Sequence, residues 1–331
     1  MGSSGIEPRG ALGVSGICSE KASMSHEANL YAGAAEEMGR LGRMQLELAL
    51  DEIALAKMGE PAAHVHEARK RLKKARAVIA LVATRAPRSR RRYWLGALRV
   101  SGRELAASRE SAVMRDRLIW TLDEAHLNLA PAQLEAVHRH LTAKLGLSIG
   151  DRPNNEQAER ACNGIRSVFE SFLPGSLGPL SWQDVIDGLI RTHRRARDNL
   201  AACLCDARGE VLHELRKRTK EQLYQLRVLR PLWPAPLLAE SREFEHLAEL
   251  LGDHHDLCQL RTGLQGCGEV VSPDLAGAID LWLHGRITEL TEACLLLALR
   301  VFAESSRARR RRFCRLLDVA RRTRTVASTE P

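Results

Sequence analysis

The stretch HEARKRLKK, from His66 to Lys74, places five basic residues and a histidine in nine positions. A related stretch, HELRKRTK, runs from His213 to Lys220. At about 100° per residue on a helix, Arg69, Lys70 and Lys73 fall on one stripe with His66, at spacing i, i+3, i+4, i+7. Lys74 lies at the edge of that stripe and Arg71 points away from it. Val65, Ala68, Leu72, Ala75, Ile79 and Val82 form the opposite, apolar face. In the second copy the stripe is His213, Arg216, Lys217 and Lys220, extended by Tyr224 and Arg227. Leu212, Leu215, Leu223 and Leu226 take its apolar side. Like charges packed on one stripe repel by a few tenths of a kcal/mol per pair, roughly, so a pattern written twice calls for an external counterion. A solvated helix face explains a single copy; the repetition argues for a use.

Working outward, the 331-residue chain is 44% hydrophobic and only 4% aromatic, with a net charge of +9 and a pI near 9.4. Ala, Leu, Arg and Glu favour helix, and the charge favours an anionic partner. The eight cysteines form no CxxC pair, so they read as buried thiols rather than a zinc or redox centre. No apolar run reaches the roughly 18 residues of a membrane span. Residues 1–33, rich in Gly and Ser, lack the apolar core of a signal peptide and read as a disordered leader.

Helical periodicity starts near Ala34. Pro61 suits a first helical turn, and the helix carrying His66 should stop before Pro87. Further helices are expected over about 90–107, 110–127 and 131–145, with a short one at 155–171. Loop signals there set a boundary: a first bundle over 34–150, a linker over 151–180, a second bundle over 181–322 and a frayed tail over 323–331. In the second bundle, helices are expected over 181–206, around His213 to Pro231, over 237–251 and 256–264, and in one or two more to Arg322. The halves align: His66 with His213, and ELAASRESAVM (Glu104 to Met114) with ELLGDHHDLCQL (Glu249 to Leu260). Arg109-Glu110 then stands opposite His255-Asp256. Such a repeat implies two similar all-α bundles related by a pseudo-twofold axis.

The repeated His-x-x-Arg-Lys-x-x-Lys, followed by LGDHHDL (Leu251 to Leu257), resembles the CHAD family, the conserved histidine α-helical domain. Arg109-Glu110 stands where that family usually has Arg-Asp. The resemblance spans about Ala35 to Arg322. It implies two four-helix bundles around a basic groove or pore, binding of inorganic polyphosphate and association with polyphosphate granules in the cytoplasm. No ExExK signature precedes Ala35, so a stand-alone protein without a triphosphate-tunnel domain is expected. The ligand would lie along His66, Arg69, Lys70, Lys73 and Lys74 in the first copy. In the second it would lie along His213, Arg216, Lys217, Lys220 and Arg227. Arg191, Arg194 and Arg195, in RTHRRAR, extend the second wall. Arg109, Glu110, His255 and Asp256 support these residues by orienting basic side chains or helix starts.

A stripe of point charges suits a flexible chain of phosphates, since no base edge has to be read. Duplex DNA fits less well: no recognition motif is present, and only Tyr224 interrupts a basic stripe. Other polyanions remain alternatives. A metal-dependent phosphohydrolase would need His64, His66, His254, His255 and Asp256 to converge with His193, Asp198 or Asp253. No phosphate loop or nucleophile motif accompanies them, so no catalytic residue, metal or cofactor is assigned. The run RARRRR, Arg307 to Arg312, reads as a solvated helix face, with an extension of the anion surface as the alternative. It is kept out of the core site.

Overall fold

The computed structural model describes residues 26–327 apart from 59–60, 84, 126, 128, 148–154 and 266–270; side chains 61, 107–112 and 323–327 are also outside the description. The described residues form eleven α-helices and no strands. They are α1 (Ala34–Met58), α2 (Pro61–Val82), α3 (Arg88–Glu104), α4 (Ala107–Glu124), α5 (Pro131–Lys144) and α6 (Asn155–Ser171). After a short 3-10 turn follow α7 (Trp182–Cys205), α8 (Gly209–Leu229), α9 (Pro234–Leu264), α10 (Pro273–Val301) and α11 (Ser306–Ala327).

Local sequence explains most boundaries. Prolines open α2, α5, α9 and α10, where their missing N–H is no loss. Helix α7 begins with a capping box. Ser181 Oγ accepts from the Asp184 amide at 3.2 Å, and the Ser181 amide donates to Asp184 Oδ2 at 2.9 Å. Arg85 Nε also donates to Asp184 at 2.8 Å, tying the end of α2 to the start of α7. Burial pushes the Asp184 carboxyl up, but its bonds to Ser181 and Arg85 outweigh this and hold it below its ordinary value. Helix α7 crosses α2 at Gly188, where a Cβ would collide with the Leu81 backbone, so only glycine permits this approach.

Four differences from the sequence reading have physical causes. Residues 26–33 are not a free leader. The Ala28 amide donates to Val228 O at 2.9 Å, Trp182 Nε1 donates to Ala32 O at 3.1 Å, and Ala28 and Leu30 are buried. The helix expected at 155–171 forms as α6, but it is part of the main core rather than of a linker: its Ala161, Ile165 and Val168 are buried against α1 and α3. The expected break between 251 and 256 does not exist: α9 runs straight through Gly252. Helix α11 continues to Ala327, into the expected tail.

The apolar clusters do not follow the halves of the sequence. The larger one joins Leu72, Val78 and Ile79 of α2 to Leu215, Leu223 and Leu226 of α8 and to side chains from seven of the other helices. The smaller one joins Leu118, Leu122 and Leu141 of α4 and α5 to Leu257, Leu260, Ile279 and Leu283 of α9 and α10. The apolar faces of the two His-basic helices therefore meet in one core rather than in separate bundles.

Candidate functional site

Both apolar faces fall where periodicity puts them: Val65, Ala68, Leu72, Ala75, Ile79 and Val82 are buried, as are Leu212, Leu215, Leu223 and Leu226. The opposite faces carry the cations. Helices α2 and α8 pack on one another. Gln225 Nε2 donates to Ala77 O at 3.3 Å, Arg227 lies beside Lys74, and Arg76 beside Glu221 and Arg218. Tyr224 of α8 feels the charge of Glu67 of α2. The contacts gather around residues 74–77 of α2 and 218–227 of α8, so the two helices cross there.

In the first copy, Lys70 donates to Glu67 at 3.1 Å, and Arg69 Nη1 reaches the Leu105 carbonyl at 3.4 Å, in the break between α3 and α4. Burial, then the charges of Arg71, Lys70 and Arg227, pull the Lys74 ammonium down to about 8, against the pull of Glu67. In the second copy, Lys217 donates to Glu214 at 2.6 Å and Arg227 to Glu245 at 2.7 Å. Lys73 and Lys220 lie on the intermediate surface of their helices. Tyr224, read as part of the stripe, is instead buried, and burial raises its hydroxyl pKa.

The LGDHHDL segment of α9 supports the second copy. A Cβ on Gly252 would come within 3.3 Å of Arg216 Nη2, so the missing side chain leaves the guanidinium its place. Burial pulls the Arg216 pKa down, while Asp256 and Asp253 favour its charge. Burial pushes the Asp256 carboxyl up, with Arg216 and Arg117 opposing. The His213 and His255 rings lie 4.3 Å apart. Burial, followed by His213 and Arg216, pulls His255 down to about 4; burial also lowers His213. Arg117 of α4 pairs with Asp253, so the two halves meet at this support. The side chains of Arg109 and Glu110 lie outside the described residues.

Arg191, Arg194 and Arg195 do not join the stripe so directly. Arg194 and Arg195 are exposed. Arg191 lies among Arg91, Arg195, Asp187 and Glu221, with burial lowering its pKa. That neighbourhood leads through Glu221 to Arg76 and Arg218, which the stripe reading omitted. Arg71, read as pointing away, sits beside Lys74. The two are three apart on α2, and α8 adds Arg227 to them, which a helical wheel of α2 alone does not show.

The run Arg307–Arg312 belongs to the scaffold. Arg309 is 1% exposed and pairs with Glu240 at 2.6 Å and Glu304 at 3.4 Å. Arg312 donates to the same two carboxylates, and Arg310 to Asp187 at 2.6 Å. Burial pushes Glu240 up, but Arg309 and Arg312 overcome it and leave the carboxyl below its ordinary value. Only Arg307 and Arg311 remain as an exposed face without such ties.

Metal ligation finds no focus: among the described residues no three His, Cys, Asp or Glu side chains come together to hold an ion. His64 bonds Glu52 at 2.8 Å, while buried His193 bonds the Glu304 carbonyl at 2.9 Å. The described helices include none long and apolar enough to cross a membrane.

The class defined by the geometry is an all-helical protein in which two helices of like His-Arg-Lys spacing pack together. The family model described as "CHAD domain" matches residues 43–265, and the chain belongs to that family. Among solved structures, the chain is similar to the crystal structure of the CHAD domain from the plant Ricinus communis. That match has 16% identity and a TM-score of 0.55, covering 85% of this chain and 93% of that one. It supports the helical fold. No curated protein matches the chain. The family match ends at 265, short of α10 and α11, so the sequence resemblance reaches less far than the stretch to Arg322.

Proposed function

We propose that this protein binds inorganic polyphosphate, without catalysis, along the paired cationic faces of α2 and α8, and that this attachment carries it to polyphosphate granules in the cytoplasm. The observation that carries the reading is the packing against each other of two helices with the same His-Arg-Lys spacing. It gathers Lys70, Arg71, Lys74 and Arg227 in one group and Arg76, Arg218 and Arg191 in another nearby. Acidic side chains in the neighbourhood, Glu67, Glu214 and Glu221, are outnumbered. A phosphate chain supplies the missing countercharge. Arginine forks take pairs of its oxygens and lysines follow its flexible backbone.

Ion release makes such binding salt-dependent. Long-chain polyphosphate should bind in low salt and lose affinity steeply as salt rises, and duplex DNA at matched phosphate concentration should compete poorly. Affinity that is flat across salt, or equal for DNA, would reject the reading. Phosphate released on adding Mg²⁺ or Mn²⁺ would replace it with the hydrolase.

A further inference from the structure

Residues 26–33 precede the part of the chain that the family model matches. They are held down at several points: Ala28 on Val228, Glu27 on Arg230, and the Asn29 amide on Glu37 at 2.8 Å. This anchoring brings His26 against Arg71 and Lys74 of α2 and Arg227 of α8. Both ring nitrogens of His26 and the Nε of Arg71 are shut off from solvent, and none has a hydrogen-bond partner. Buried polar atoms ordinarily find partners, so orphaned groups within electrostatic reach of one another point to a ligand. The nearby carboxylates are engaged already, Glu67 with Lys70 and Glu245 with Arg227.

We propose that His26 completes an anion subsite with Arg71, Lys74 and Arg227, fitted to one phosphate group of a polyphosphate chain, and that filling it draws a proton onto His26. This rests on the polyphosphate reading above and adds to it a residue from outside the repeated helices. The charged and titratable groups around the ring are Arg71 and Lys74 from α2 and Arg227 from α8. Behind them stand Lys70, Glu67, Tyr224 and Glu245, while Glu27, on its own segment, is turned to Arg230. In the protein by itself, burial and then Lys74, Arg227 and Arg71 hold His26 down to about 3, so it is neutral. A phosphate reverses that balance: it screens the three cations and accepts from an imidazolium, which favours the charged ring. Binding and protonation are then linked, and each strengthens the other.

Calorimetric titration of the full chain with inorganic tripolyphosphate near pH 6.5, in two buffers of different ionisation enthalpy, reads affinity and proton uptake together. Wild type should take up more protons than His26→Gln, and His26→Gln should bind about tenfold more weakly, the worth of one hydrogen bond to a charged group. His26→Arg, a permanent cation, should recover the affinity without the uptake. Equal affinity and uptake in wild type and His26→Gln would overturn the subsite, as would equal weakening of both variants, which would show a packing role. Should all three proteins bind long-chain polyphosphate alike and tripolyphosphate alike, only the His26 subsite falls. Should wild type bind neither, the polyphosphate reading falls with it.

Discussion

Residues 307–312 are richer in arginine than residues 66–74, yet the two regions end in opposite states. In the run on α11, Arg309 and Arg312 close on Glu240 and Glu304, and Arg310 closes on Asp187. At the crossing of α2 and α8, Arg71 and Lys74 stand beside Arg227 and an unpartnered histidine. The first region uses its charge internally; the second keeps charge in excess. Density of basic residues therefore says little about ligand binding. The number of carboxylates that the fold brings to them says much more.

The largest effect should come from breaking the paired region. Arg309→Met leaves Glu240 buried with half its countercharge, and removing one partner from a buried pair costs about 3 to 5 kcal/mol. Chemical denaturation should show that loss, while the folded fraction keeps its polyphosphate affinity. Unchanged stability would erase the contrast between the regions.

Acid should act on the paired region next. His193 sits under the same loop, bonded to Glu304 O, and burial followed by Arg309 brings it down to about 4. Its folded pKa lies below the unfolded value of 6.5, so the unfolded chain binds the proton first. Stability from this group is complete above pH 6.5 and falls as pH drops towards 4, by about 3 kcal/mol in all. Urea unfolding at pH 7 and pH 4.5 should show the fall, and His193→Gln should make it smaller by His193's share, the other buried histidines keeping theirs. An equal slope in both proteins would place the acid sensitivity elsewhere.

Neutralising the cationic faces should do the reverse of Arg309→Met. Lys217→Gln with Lys220→Gln, or Lys70→Gln with Lys73→Gln, should leave stability within about 0.5 kcal/mol, as surface changes usually do. Each pair should weaken long-chain polyphosphate binding about thirtyfold, close to 2 kcal/mol. Short chains that reach only one face lose the benefit of the second contact, so their affinity should fall less. If either double variant binds long chains as wild type does, another surface carries the ligand. Arg216 is a poorer probe, because Asp256 and Asp253 depend on it.

The smallest effect should come from Lys74→Met. It removes a buried ammonium crowded by Arg71, Lys70 and Arg227, so stability at pH 7 should rise by up to about 1 kcal/mol while polyphosphate affinity drops. A loss of stability would mean that Lys74 is balanced within the fold after all.

By itself the sequence determined what is periodic or local. It marked the proline starts of α2 and α5, the apolar faces of α2 and α8, the cationic faces opposite them, and the LGDHHDL motif as a support for basic side chains. These are legible because a helix repeats every 3.6 residues whatever its surroundings. Only the tertiary structure decided which cations are free to meet a ligand. Glu240 is far from Arg309 in sequence, as His26 is from Arg227, and no helical wheel contains such pairs. Nor did periodicity separate a helix that breaks at Leu105–Ala106 from one that runs on through Gly252. There the packing of Arg216 along the open side of the glycine, and of Leu251 and Leu257 into the apolar clusters, favours an unbroken helix over the break that local signals suggest. Charge and propensity are written residue by residue, whereas desolvation and ion pairing depend on the company each residue keeps once the chain has closed.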